Sequence, residues 1–197
     1  MKTLITFSSL FLGLMVAVAP LQAQKKKKAQ TFTVSHVINA PAEKVWAVVG
    51  EDYGAIANSH PKIVSSNYIN GTLKAGEGAE RVCNFNEKGT QYLKEKQVNY
   101  DPDNYTFRNQ VFQAGKFPVD PEYTYAIYKV EAIDDRSSRF TFDMNYRTKP
   151  AFMGGMMKGN FKKLIREYAL AIEHHVNTGE PVNKDNFKSI KKSYATR

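Results

Sequence analysis

The chain has 197 residues, one cysteine and a formal net charge of +9. A single cysteine excludes an intramolecular disulfide, so any fold must rest on its core, which a chain of this length can supply. The positive excess lies in Lys2, in Lys25 to Lys28 and in the stretch after Asn183, so the body between is charge-balanced and carries no nucleic-acid footprint.

Lys2 precedes an apolar run from Leu4 to Ala19, followed by Pro20-Leu21-Gln22-Ala23. A charged start, an apolar middle and a small-residue exit form the layout of a secretory signal peptide. The uninterrupted part, Leu10 to Ala19, is short of the ~20 residues that span a bilayer, although a retained anchor is the alternative. Residues 1–23 are therefore expected to be a signal peptide, which makes the mature protein periplasmic or secreted, and residues 24–30 a basic linker. Residues 31–180 form one domain, and 181–197 a basic C-terminal tail. Both basic segments are expected to be disordered, free in solvent or in weak contact with an anionic membrane surface.

Thr31 to Asn39 alternates Phe32, Val34 and His36 with Thr33, Ser35 and Val37, a first strand. Pro41 sits at an early helical position, and Val45, Trp46, Val48 and Val49 supply a helical apolar face. A second short helix is expected over Tyr53 to Asn58, ending before His60-Pro61 because the residue before proline disfavours helix. The pattern then changes to period two. Strands are expected at Ile63–Asn70, Ala79–Asn86, Gln91–Tyr100, Tyr105–Gln113, Glu122–Ile133 and Arg139–Thr148. Short turn signals such as Asn70-Gly71, Lys88-Gly89 and Asp134-Asp135 separate them and favour antiparallel neighbours. A long helix closes the domain, with Phe161, Leu164, Ile165, Tyr168, Ile172 and Val176 on one face. Pro150 lies near its start, and Gly179 and Pro181 lie past its end. Its opening, Phe152-Met153-Gly154-Gly155-Met156-Met157, is soft material suited to an adjustable wall.

Cys83 falls in an apolar strand pattern and reads as a buried thiol. His174 and His175 are adjacent on a helix, so they diverge and do not share a metal. No HExxH, phosphate loop, GxSxG elbow or dinucleotide fingerprint occurs, and neither a metal nor another cofactor is expected.

Several segments in this order resemble the START-like superfamily, also called the Bet v 1-like or polyketide cyclase/dehydrase family. They are Val45-Trp46-Ala47-Val48-Val49-Gly50, Tyr53 to Pro61, Gly76-Glu77-Gly78-Ala79-Glu80-Arg81, and Pro118-Val119 with Tyr123. The resemblance covers about residues 31 to 178. It implies an α+β helix-grip fold, in which a curved seven-stranded antiparallel sheet grips the long helix around a cavity. It does not imply one activity, because relatives include lipid carriers, hormone receptors, allergens and cyclases. The hormone receptors carry an inward Glu at the place of Glu95, but their carboxylate-anchoring Lys falls near Ser59-His60 here.

Strand parity then nominates cavity-facing residues. These are Arg81, Cys83 and Phe85; Leu93, Glu95 and Gln97; Tyr105, Phe107, Asn109 and Val111; Tyr123, Tyr125 and Ile127; and Phe140, Phe142, Met144 and Tyr146. Met153, Met156, Met157 and Asn160 of the helix would add the adjustable wall, with Phe117 of the Ala114 to Pro121 rim loop as a lid. Such a lining suits an apolar or aromatic small molecule with a polar group, a lipid among the candidates. Arg81 and Glu95 would meet the ligand's polar end, or form an ion pair that satisfies only itself. Proton transfer by Glu95, Arg81, His60 or Tyr125 in a cyclase/dehydrase-type enzyme is the alternative function.

Overall fold

The computed structural model describes residues 29–195. The expected signal peptide and most of the basic linker lie outside the described residues. β1 (Gln30–Ile38) buries Phe32, Val34 and Ile38 on one face, and a short turn leads to Pro41, whose carbonyl accepts the Val45 N–H at 3.3 Å to open α1 (Ala42–Trp46). One wide turn, Ala47–Glu51, continues α1. It brings Gly50 under Trp46 so closely that a Cβ there would lie 2.6 Å from the indole. A 3-10 segment, Tyr53–Asn58, follows.

The other strands are β2 (Ser65–Tyr68), β3 (Glu80–Asn84), β4 (Tyr92–Asp101), β5 (Thr106–Ala114), β6 (Tyr125–Asp134) and β7 (Ser137–Tyr146). They form one antiparallel seven-stranded sheet in the order β1-β7-β6-β5-β4-β3-β2. Sequential hairpins from β2 to β7, closed by β1 against β7, curve the sheet around the long helix α2 (Gly154–Thr178). This is the α+β helix-grip fold expected from the sequence. β6 begins at Tyr125 because Pro121–Tyr123 makes a 3-10 turn. Irregularities between β4 and β5 fall between Lys94 and Glu95 and between Val98 and Asp101. They leave the inward sets intact, with Leu93, Glu95 and Gln97 on one strand and Phe107, Asn109 and Val111 on the other.

α2 buries Phe161, Ile165, Tyr168, Ala169 and Ile172 against the sheet. A polar tie fixes its far end, where Glu173 lies 2.7 Å from His36 Nε2 and accepts the Asn39 amide at 3.1 Å. Gly179 ends the helix at a φ of 72°, a conformation that suits glycine, and donates to His175 O at 2.8 Å.

The expectation of a disordered tail after residue 180 is corrected. Phe187–Ala195 forms a third helix, α3, whose Phe187 and Ile190 are buried with Val182 against Ala171 of α2. Asn183 Oδ1 starts it by accepting the N–H groups of Asp185 and Asn186 at 2.9 and 3.2 Å. The Val182 N–H donates to Asn58 O at 2.8 Å, fastening the segment to the domain. Two apolar residues three apart suffice to dock a helix whose other faces are lysine-rich. Phe187→Ala should lower stability by ~3 kcal/mol in urea denaturation, the usual cost of emptying a buried aromatic site. A tail without a docked helix would leave the midpoint unchanged.

Candidate functional site

Antiparallel pairing sets Arg81 of β3 directly opposite Glu95 of β4. Arg81 is 1% exposed; its Nε donates to Glu95 Oε2 at 2.8 Å, and its Nη1 donates to Tyr53 O at 2.7 Å. Nη2 also lies 2.8 Å from Oε2, as an ion-pair contact whose geometry falls outside a hydrogen bond. The guanidinium is capped by the Tyr53 ring, 3.8 Å from its centroid, and Tyr53 Oη donates to Asn109 Oδ1 at 2.7 Å. Burial pushes the Cys83 thiol well up, so it stays protonated and donates to Glu95 Oε2 at 3.4 Å. Oε2 thus takes every hydrogen bond of this carboxylate, and Oε1 makes none among the described residues.

Glu95 borders an apolar cavity of about 80 Å³ between the sheet and α2. Leu93, Val111, Ala126 and Phe142 supply part of the sheet side, and Phe161, Leu164, Ile165 and Tyr168 supply the helix side. Phe117 lines it too, with its ring 4.6 Å from Phe85 and 6.5 Å from Phe161. The three rings form one aromatic cluster.

The residues nominated from sequence divide into distinct groups. Arg81, Phe85, Glu95, Phe117, Phe142 and Met144 line the cavity, as does His60. Phe107 and Asn109 are buried one layer away, with Phe107 stacked on Tyr128 at 4.6 Å. Tyr146 is buried with its hydroxyl donating to Gly154 O at 2.6 Å.

The parity expected for β6 is reversed. Thr124, Ala126, Tyr128 and Val130 face inward, and Ile127, Lys129 and Glu131 face out. Tyr125, at the start of the strand, still lines the cavity as expected, with its ring under the Arg108 guanidinium at 3.7 Å, whereas Tyr123 stacks on Arg147 at 3.4 Å and Ile127 faces out. The charged pair Lys129 and Glu131 carried this parity in the sequence, because paired charges on alternate positions belong on the solvent side.

The adjustable wall of Met153, Met156, Met157 and Asn160 is also corrected, since none of the four lines the cavity. Counting back from Phe161 in helical steps places Met157 and Gly154 on the inner stripe. Met156 and Asn160 fall on the outer one, and Met156 is 76% exposed. The inner wall is the Phe161 to Tyr168 face, whose spacing was plain in the sequence.

His60 Nδ1 accepts the N–H groups of Lys62 and Ile63 at 3.1 and 3.2 Å. Its lone pair is therefore occupied by the turn after Pro61. Burial, helped by the nearby Arg81 charge, lowers its pKa to about 3. This neutral ring, 4.7 Å from Tyr168, is a wall rather than a base. Burial also raises the hydroxyls of Tyr53, Tyr128 and Tyr168 above their ordinary range, which makes them poor acids. Among the described residues no group of three or more His, Cys, Asp or Glu could hold a metal ion, and no helix is long and apolar enough to cross a membrane.

The family model for polyketide cyclase/dehydrase and lipid transport matches residues 29–173. The chain belongs to that family. No curated protein matches the sequence. Among solved structures, a Thermobifida fusca protein is 23% identical, with 77% of this chain and 96% of that one covered at a TM-score of 0.62. A START superfamily protein from Mycobacterium smegmatis is 16% identical, with coverage of 75% and 97% and a TM-score of 0.62. An aromatase/cyclase from Streptomyces sp. R1128 is 12% identical, with coverage of 75% and 91% and a TM-score of 0.57. At such identities these likenesses show the fold of the family.

Two outcomes test the energetics of this family member's buried site. Glu95→Gln should cost about 3 kcal/mol in urea denaturation, because it strands a buried guanidinium, and Arg81→Met with Glu95→Leu should recover most of that loss. An equal loss in the double variant would contradict a self-compensated pair. The unfolded His60 takes a proton near 6.5, and the folded one only near 3. Its stabilising contribution is therefore complete above pH 6.5 and is lost as pH falls toward 3, at up to ~1.4 kcal/mol per unit. His60→Gln should flatten the fall in stability between pH 6.5 and 5, before the carboxylates titrate.

Proposed function

We propose that this protein binds a compact apolar or aromatic molecule bearing one hydrogen-bond donor, with the donor on Glu95 Oε1 and the apolar body between the sheet and α2. The observation that carries this reading is a carboxylate oxygen without a hydrogen bond on a residue that borders an otherwise apolar cavity. Glu95 as a whole is buried, and an acceptor there without a protein partner is one that a ligand's donor can satisfy. The cavity's 80 Å³ is far below the ~300 Å³ at which small-molecule pockets begin. Entry therefore displaces Phe117 and its loop, and a long acyl chain fits less well than a single ring.

The family includes cyclases, and one similar structure is an aromatase/cyclase. Proton transfer is disfavoured here by the occupied lone pair of His60 and by the Arg81 pairing of Glu95. The N-terminal charge and hydropathy pattern supports export, with the binding protein working in the periplasm or outside the cell.

Native mass spectrometry and thermal-shift titration with compact phenols and anilines should reveal a saturable ligand. Ala126→Leu, which fills the cavity, should weaken that ligand at least about tenfold while the protein stays folded. A protein that ignores the whole panel, or whose ligand is untouched by Ala126→Leu, would refute the reading.

A further inference from the structure

The docking of α3 creates a second concave site, outside the apolar cavity. A cleft of about 430 Å³ between α2 and α3 is lined by Lys62, Lys163, Lys184, Lys188 and Lys191, with Leu164 and Phe187 among its apolar walls. These lysines come from three parts of the chain: the turn after His60, the outer face of α2, and α3 with its approach. The acidic residue of the lining is Glu167, and Lys191 already engages it at 2.9 Å. Lys62, Lys163, Lys184 and Lys188 make no ion pair among the described residues. Glu87 and Asp185 line the adjoining groove with Lys62 and Lys184, without pairing with them.

The charge is concentrated rather than incidental. Lysines and arginines together balance the acids over residues 29–183 as a whole, yet five lysines meet one glutamate here. Apolar walls beneath like charges strengthen the field in a cleft and raise the local concentration of anions. Ammonium groups on flexible stems act as adaptable point charges for phosphate, and Asn160 adds an amide at the same cleft.

We propose that the α2–α3 cleft is a binding site for a phosphate-bearing ligand, whose multiply charged anionic group sits among Lys62, Lys163, Lys184 and Lys188. The site is independent of the cavity reading: the two linings share Leu164, but none of the cleft's lysines lines the cavity and the chemistry is another. The phosphate belongs either to a free small molecule or to a lipid headgroup, and one experiment separates these sources.

The full chain is titrated with inorganic pyrophosphate by calorimetry and, separately, with phosphatidylglycerol and phosphatidylcholine vesicles in a co-sedimentation assay. The cleft variant is Lys184→Gln with Lys188→Gln. The control is Lys74→Gln with Lys94→Gln, which removes the same charge from outside the cleft. Saturable, salt-sensitive binding of pyrophosphate is expected if the source is free phosphate, and binding of phosphatidylglycerol vesicles alone if it is a headgroup. In either case the cleft variant should bind at least about tenfold more weakly, and the control should change less than about twofold. The proposal is overturned if neither probe binds, if the cleft variant binds like wild type, or if both variants lose affinity equally. The last result would mean general surface charge, and vesicle binding unaffected by the cleft variant would assign attachment to lysines elsewhere.

Discussion

A guanidinium buried to 1% exposure is the most demanding group in this molecule. Arg81 cannot shed its charge, so the fold must supply partners on every side. Glu95 answers from the neighbouring strand, the Tyr53 carbonyl from the 3-10 segment, and the Tyr53 ring from above. Those contacts tie the β3–β4 hairpin to the segment after α1, and Tyr53 in turn ties to Asn109 on β5. One charge thus couples four parts of the wall, and burial, which outweighs the pull of that charge on nearby acids, holds the thiol, phenols and imidazole around it neutral. Cys83, Tyr128 and Tyr168 keep their protons, and His60 stays without its second one.

The same pair shapes the chemistry of the cavity. Because Arg81 and its neighbours load one oxygen of Glu95, the other makes no hydrogen bond among the described residues, on a side chain that borders the cavity. The carboxylate is thereby oriented as an acceptor, with Oε2 already engaged by Arg81 and Cys83. The Phe85–Phe117–Phe161 cluster keeps the remaining space small. A site of this kind selects for compact size and a single donor, in a family whose members range from carriers to cyclases.

Much of this was legible in the sequence where one physical signal dominated. Antiparallel order followed from short turns, and period two placed Arg81, Glu95, Phe85 and Phe142 inward correctly. β6 was ambiguous because tyrosines fall on both parities, at Tyr123 and Tyr125 and again at Tyr128; only Lys129 and Glu131 break the tie. The Met-rich opening of α2 suggested a wall by composition, but helical phase, which composition ignores, turns Met156 outward. The last segment was read by its lysines, which outnumbered the two residues, Phe187 and Ile190, that dock α3. His60 was visible as a candidate base, yet the two backbone N–H groups that occupy its lone pair depend on a turn geometry no spacing rule encodes.

The most direct test of the account follows the side-chain carboxyl carbon of Glu95 by carbon-13 NMR while phenol and toluene are titrated in parallel. The two share size and apolar character and differ in one donor. A saturable shift of the Glu95 signal with phenol, and none of comparable size with toluene, is the predicted result. A Glu95 signal that ignores both ligands, or responds to both alike, would contradict the claim that its free oxygen holds the ligand's donor.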